Sequence, residues 1–268
     1  MTVSTVISKD GTRIAYETLG SGPALVLVDG ALCYRASGPA RPLAEQLAAQ
    51  FTVHIYDRRG RGESGDAPEY DLQRELEDLE AVLAEAGGAE AGLYGISSGA
   101  MLALEAVNRG LAVRRLALYE TPLVVDATRK PIPADYEAHL RALIGAGKNG
   151  AAVKYFMRAA VGLPAPMVAL FPLMPAWRKL KAVAPTLPYD ASTIAGLTGG
   201  APIPEGRFSG VQAPTLAIYG GKSPEWMKAA VRAVAAAVPG ARSEELPGQT
   251  HMVKPAALAP VLAAYFAG

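Results

Sequence analysis

The chain has 268 residues, 50% of them hydrophobic and 19% charged, with 26 Lys and Arg against 25 Asp and Glu for a net charge of +1. That length is ample for a sizeable buried core, and a near-neutral balance with no basic run argues against a nucleic-acid protein, because phosphate binding needs clustered Lys and Arg. One cysteine, Cys33, excludes an intramolecular disulfide framework and a multi-cysteine zinc site.

Met1 to Asp10 has neither the basic region nor the apolar core of a secretory leader, so a cytoplasmic location is expected. Residues 13–18 alternate as a half-buried strand, and Ala24 to Val28 is a continuous apolar run of the kind buried on both faces. A helix over 43–50 precedes a strand over 51–57. Leu72, Leu76, Leu79 and Leu83 share one face of a helix over 70–86 that Gly87 and Gly88 end. A short strand (92–96), a helix (98–108) and another strand (115–119) follow. Strands alternating with helices predict a parallel sheet covered on both sides.

After Thr121-Pro122 the rhythm changes. Residues 122–205 read as helical pieces separated by Pro and Gly, with no convincing strand, inserted between core segments 1–121 and 206–268. Ala159 to Trp177 is uncharged over a length close to a membrane span, but Pro164, Pro166, Pro172 and Pro175 remove backbone donors that hydrocarbon cannot replace. A broken apolar segment covering a pocket is the better expectation. Residues 214–219 restore a strand, 226–238 a helix, 242–246 a last strand and 256–266 a last helix.

Gly95-Ile96-Ser97-Ser98-Gly99 is a G-x-S-x-G motif lying between a predicted strand and a predicted helix. A serine on such a tight turn projects its hydroxyl above the sheet, and small residues two positions either side let the backbone turn. The N–H of Ser98, at the helix start, can point at a developing oxyanion.

With that motif in place the sequence resembles the α/β-hydrolase superfamily through nearly all of its core. Asp57-Arg58-Arg59-Gly60-Arg61-Gly62-Glu63-Ser64 is similar to the family's D-x-R-G-x-G-x-S turn after its fourth strand, and Val28-Asp29-Gly30-Ala31 stands where its H-G-x loop follows the third. The resemblance implies an α/β-hydrolase fold, a mostly parallel sheet flanked by helices with a helical lid after the sixth strand. It also makes the N–H of Ala31 the second oxyanion donor. Asp29 departs from the family's histidine; it either caps the following turn or faces substrate.

The chain has three histidines. The superfamily order of Ser, acid, His requires one after Ser97. His54 precedes it inside an apolar strand, and His139 lies in the insert. His251, after the last strand, matches the family's catalytic loop and is assigned as base. The family's usual acid position reads Gly220-Gly221-Lys222-Ser223, with serine where aspartate would fall. Some members, notably certain haloalkane dehalogenases, instead carry a glutamate at the end of the sixth strand, where this chain has Glu120. Glu225 and Asp126 remain alternatives. Serine as nucleophile argues against the aspartyl-ester chemistry of dehalogenases and epoxide hydrolases. No two histidines sit at ligand spacing, so no metal or cofactor is expected.

Tyr155, Phe156, Met157, Met167, Phe171, Met174, Trp177 and Tyr189 fall in the insert and suggest an adaptable apolar wall over the site, with Tyr155, Phe156, Met157 and Trp177 as candidate substrate contacts. Packing of lid on core is the competing reading. Two functions follow. One is a serine esterase cleaving a small to medium, moderately hydrophobic ester, lactone or thioester, with cofactor-free perhydrolysis as a variant. The other is a non-hydrolytic use of the scaffold as a ligand binder or cyclase-type enzyme. The expected partner is a small-molecule substrate, not nucleic acid or membrane; a homodimer is left open.

Overall fold

The first half of the chain forms β1 (Ser4–Ile7), β2 (Arg13–Leu19), β3 (Ala24–Val28), α1 (Ala40–Leu47), β4 (Thr52–Tyr56), α2 (Leu72–Glu85), β5 (Gly92–Ile96), α3 (Ser98–Asn108) and β6 (Arg115–Tyr119). Five helices follow without an intervening strand: α4 (Tyr136–Gly145), α5 (Asn149–Ala159), α6 (Ala165–Ala169), α7 (Trp177–Val183) and α8 (Leu187–Thr193). The chain closes with β7 (Thr215–Gly220), α9 (Glu225–Ala237), β8 (Arg242–Leu246) and α10 (Pro255–Ala267). These assignments come from a computed structural model that describes residues 3–268. Met1 and Thr2, the start of the stretch read as carrying no leader, lie outside the described residues.

The eight strands make one sheet in the order β1-β2-β4-β3-β5-β6-β7-β8. β2 runs antiparallel to both β1 and β4, and every later pairing is parallel. Side chains alternate along each strand, so one strand feeds two cores. Val26 and Val28 of β3 face the core built with α2, α3 and the insert, while Leu25 and Leu27 face the one built with α1 and α10. β6 divides the same way, Leu116 and Leu118 to one side and Ala117 and Tyr119 to the other. Burial on both faces is why these strands read as continuous apolar runs.

Helix α2 begins where the Asp71 side chain accepts the Gln73 N–H (2.9 Å) and ends at Gly87, whose φ is 103°. Helix α3 is buried from Ser98 to Val107, wedged between the sheet, α2 and α8. β1 is not apparent from the sequence: it lies exposed at the sheet's edge, where no buried face imposes an alternating pattern. Among the described residues no helix is long and apolar enough to cross a membrane; residues 159–177 are divided among α5, α6, a short 3-10 turn and α7.

Candidate active site

Three non-glycine residues have positive φ among those described: Leu32 (61°), Ser97 (58°) and Glu120 (47°). They follow β3, β5 and β6, three neighbouring parallel strands in the middle of the sheet, at the strands' carboxyl ends. Backbone conformations this sparsely populated cost of order 1–3 kcal/mol each and concentrate where function demands them.

Ser97 turns sharply between β5 and α3 (φ 58°, ψ −126°). Its N–H donates to the carbonyl of Tyr119 (2.9 Å), tying the turn to the end of β6. The flanking glycines are required by close approach. A Cβ on Gly95 would stand 2.7 Å from the Ala100 Cα, and one on Gly99 would collide with the Val28 and Asp29 carbonyls. The Ser98 N–H, at the first turn of α3, and the Ala31 N–H donate to no protein group among the described residues.

Glu120 is fully buried and occupies the next position on β6. One carboxylate oxygen accepts from the Gly220 N–H (2.8 Å) and the Ser223 hydroxyl (2.5 Å). The other accepts from His251 Nδ1 at 2.8 Å. Ser223, which fills the family's usual acid position, thus supports the carboxylate that arrives from the neighbouring strand. The His251 loop is itself held: Tyr119 donates its hydroxyl to the Thr250 carbonyl (2.8 Å), and the Lys222 N–H donates to the Gln249 carbonyl (2.8 Å). The imidazole is partly exposed, and no hydrogen bond joins it to Ser97 among the described residues.

The other candidate acids lie elsewhere. Asp126 accepts from the N–H (2.9 Å) and hydroxyl of Thr128, which lowers its pKa. Glu225 forms an exposed ion pair with Arg232 (2.8 Å). His54 is buried in β4 against the Thr18 hydroxyl (3.2 Å), and His139 packs at a tilt of 51° against Tyr155 with ring centroids 4.4 Å apart.

Beneath the serine lies a charge network that the sequence reading missed. Arg58 and Arg61, both fully buried, converge on Asp190 of α8, which accepts from Arg58 Nη1 (2.8 Å) and from Arg61 Nη2 with both oxygens (2.8 Å each). Burial alone would raise the Asp190 pKa, but the two guanidinium groups outweigh it and the net direction is down. The Ser98 hydroxyl also donates to Asp190 (2.7 Å). Arg61 further donates to the Gly30 carbonyl (2.7 Å), so one arginine grips both the insert and the loop carrying Ala31. The available signal was Asp190 itself, the sole carboxylate of Leu187-Pro188-Tyr189-Asp190-Ala191 in a stretch otherwise without acids.

Asp29 is buried, and its Oδ1 has no hydrogen-bond partner. Desolvation raises its pKa to about 7 against the opposing Arg61 and Arg58 charges. Helix α1 begins at Ala40, three residues before the expected 43. Cys33 is largely buried, which pushes its thiol up to about 12.

The insert's aromatic residues divide. Tyr155 packs on Tyr136 (5.5 Å) and His139, and Trp177 lies beside Gly150 and Lys154. Phe156 and Met157 are half-buried against the core. Tyr189 stacks on Tyr70 (3.9 Å, 8°) and donates to Asp66 (2.9 Å), pinning α8 to the core. Met167 and Met174 are exposed to solvent.

Comparison with known proteins agrees with this fold. The family model described as the alpha/beta hydrolase family matches residues 20–261. An alpha/beta hydrolase from Sphaerobacter thermophilus DSM 20745 superposes with a TM-score of 0.89 at 49% identity, covering 98% of this chain and 100% of that one. An esterase from Rhodococcus sp. ECU1013 shares the fold at 21% identity with a TM-score of 0.69, over 100% and 99% of the two chains. An uncharacterized hydrolase of Bacillus subtilis (strain 168), YraK, is 35% identical over 101 residues, a match spanning 35% of this chain and 35% of that relative. The chain belongs to the alpha/beta hydrolase family.

Proposed function

We propose that this hydrolase cleaves a small to medium, moderately hydrophobic ester, lactone or thioester through an acyl-enzyme on Ser97. The observation that carries the reading is the 2.8 Å contact between Glu120 and His251, set beside a serine on a strained strand-to-helix turn. An ionised carboxylate only accepts, so Glu120 holds the proton on Nδ1 and leaves the Nε2 lone pair for the serine hydroxyl. As substrate enters, Nε2 takes the Ser97 proton while Oγ attacks the carbonyl carbon. The N–H groups of Ser98 and Ala31 receive the negative charge that develops on the carbonyl oxygen. The imidazolium returns its proton to the leaving group, and a water molecule, deprotonated by His251, then releases the acid and restores Ser97. The esterase from Rhodococcus supports the reading at the level of fold.

Two features favoured a non-hydrolytic role, the serine at position 223 and the acid at position 29. Ser223 bonds to Glu120, which supports the hydrolytic reading of that position, while the burial of Asp29 favours neither role. Intact-mass analysis after exposure to a fluorophosphonate tests the proposal. Wild type takes one adduct, and Ser97→Ala and His251→Ala take none. A folded wild type that stays unlabelled refutes it.

A further inference from the structure

Charge is distributed unevenly along this chain. From Ala142 to Tyr189 there is no Asp or Glu, while Lys148, Lys154, Arg158, Arg178, Lys179 and Lys181 all fall there. None of these six is ion-paired among the described residues, in contrast to the buried arginines of the core. With 26 cationic and 25 anionic side chains in all, the rest of the molecule is net acidic.

The same segment holds the apolar surface. Five of the eight large hydrophobic residues exposed among the described residues are Val161, Met167, Leu170, Leu173 and Met174. Leu170 is 61% exposed and Leu173 80%, so these side chains project outward and do not line a groove. The tract is tied to α5 by the Leu163 N–H on the Met157 carbonyl and to α7 by the Trp177 N–H on the Met174 carbonyl (both 2.9 Å). Arg158 at the end of α5 and Arg178, Lys179 and Lys181 on α7 therefore bracket it, all four exposed.

We propose that the face formed by residues 158–181 docks on an anionic phospholipid surface, with the projecting Leu and Met side chains entering the acyl boundary and the bracketing cations meeting the headgroups. A cationic rim around an apolar patch is the arrangement that holds interfacial segments in the plane of a bilayer. A second copy of the chain fits less well, because two-fold pairing through this patch brings two unpaired cationic rims together. A peptide partner would be held in a groove, and outward projection provides none. The expectation of a chain with no membrane partner rested on the absence of a spanning helix, which a surface-lying segment does not need.

Co-sedimentation with vesicles of phosphatidylcholine alone, and of phosphatidylcholine with phosphatidylglycerol in equal parts, tests the proposal at low ionic strength. Wild type partitions at least tenfold more onto the anionic vesicles and is released by added salt. Arg178→Gln/Lys179→Gln lowers that partition about 25-fold, about fivefold per cation. Leu170→Ser/Leu173→Ser lowers it at least tenfold with thermal stability unchanged, since both side chains already face solvent. Wild type that stays in solution, or that binds both vesicles equally, overturns the proposal. So does a dimer in sedimentation velocity that Leu173→Ser dissolves without vesicle binding, or retention on immobilised polyglutamate by a protein that ignores vesicles.

Discussion

Glu120 is held by three donors from three positions in the chain: Gly220, Ser223 and His251. Replacing it with Gln keeps the shape but offers an amide N–H toward Nδ1, which favours the wrong imidazole tautomer. Glu120→Gln is expected to lower kcat at least about a hundredfold with little change in KM, measured by steady-state hydrolysis of an activated ester; near-normal turnover would remove Glu120 from the relay. Asp29 supports a different test. Its folded pKa of about 7 lies above the roughly 3.9 of an unfolded aspartate, so the native state keeps a proton that the unfolded state has lost between those values. Stability therefore declines as pH rises from about 4 to about 7, by an amount on the order of 4 kcal/mol at most. The charges bearing on the group are Arg61, Arg58 and Asp57. Asp29→Asn, which cannot titrate, is expected to flatten that part of the profile, read from urea midpoints across the range.

At the scale of elements, α8 is joined to α3, the helix that follows Ser97, through Asp190. Asp190→Asn leaves Arg58 and Arg61 buried with less countercharge and is expected to destabilise the fold by about 3–5 kcal/mol, seen as a fall in the urea midpoint at constant slope. An unchanged midpoint would mean that Glu75 and the Gly30 carbonyl suffice for the two guanidinium groups. The order of elements was readable because apolar periodicity reports which faces are covered, and β3 to β7 are covered on both. β1 was not, since an exposed edge leaves no such record. The placement of Ser97 between a strand and a helix and of His251 after the last strand was readable because their neighbours encode a turn and a strand end. Asp190 was not assigned, because nothing local says that a carboxylate on one helix meets arginines more than a hundred residues earlier. Glu120 lies between these cases: its place at a strand end was visible, but its support from Ser223 needs β6 beside β7.

Across the whole molecule, insert and core share buried polar bonds as well as apolar contact. Arg61 bonds to Thr186 and Asp190 on one side and to Gly30 and Cys33 on the other. Opening the insert alone would strand that guanidinium. Wild type is expected to unfold in a single transition, with amide exchange in α8 protected to the same extent as in α3. Earlier exchange in α8 would show that the insert opens by itself.

The position of Glu120 also sets the order in which the site is made. Leu32, Ser97 and Glu120 all precede the insert, and two of them belong to a single β5–α3–β6 unit. An enzyme with its acid after β7 would leave both relay partners of the serine to the end of synthesis. On the proposed relay, a ribosome that has passed Glu120 has already made the serine, its acid and the oxyanion loop, and only the base is missing. The growing chain stays chemically silent until β8 joins the sheet and brings His251 to a carboxylate already waiting for it. Activity on that relay reports that the segment from β7 to α10 has been added and correctly paired. Arrested nascent chains ending before Arg242 are expected to take no fluorophosphonate, and chains released after Gly268 to take one.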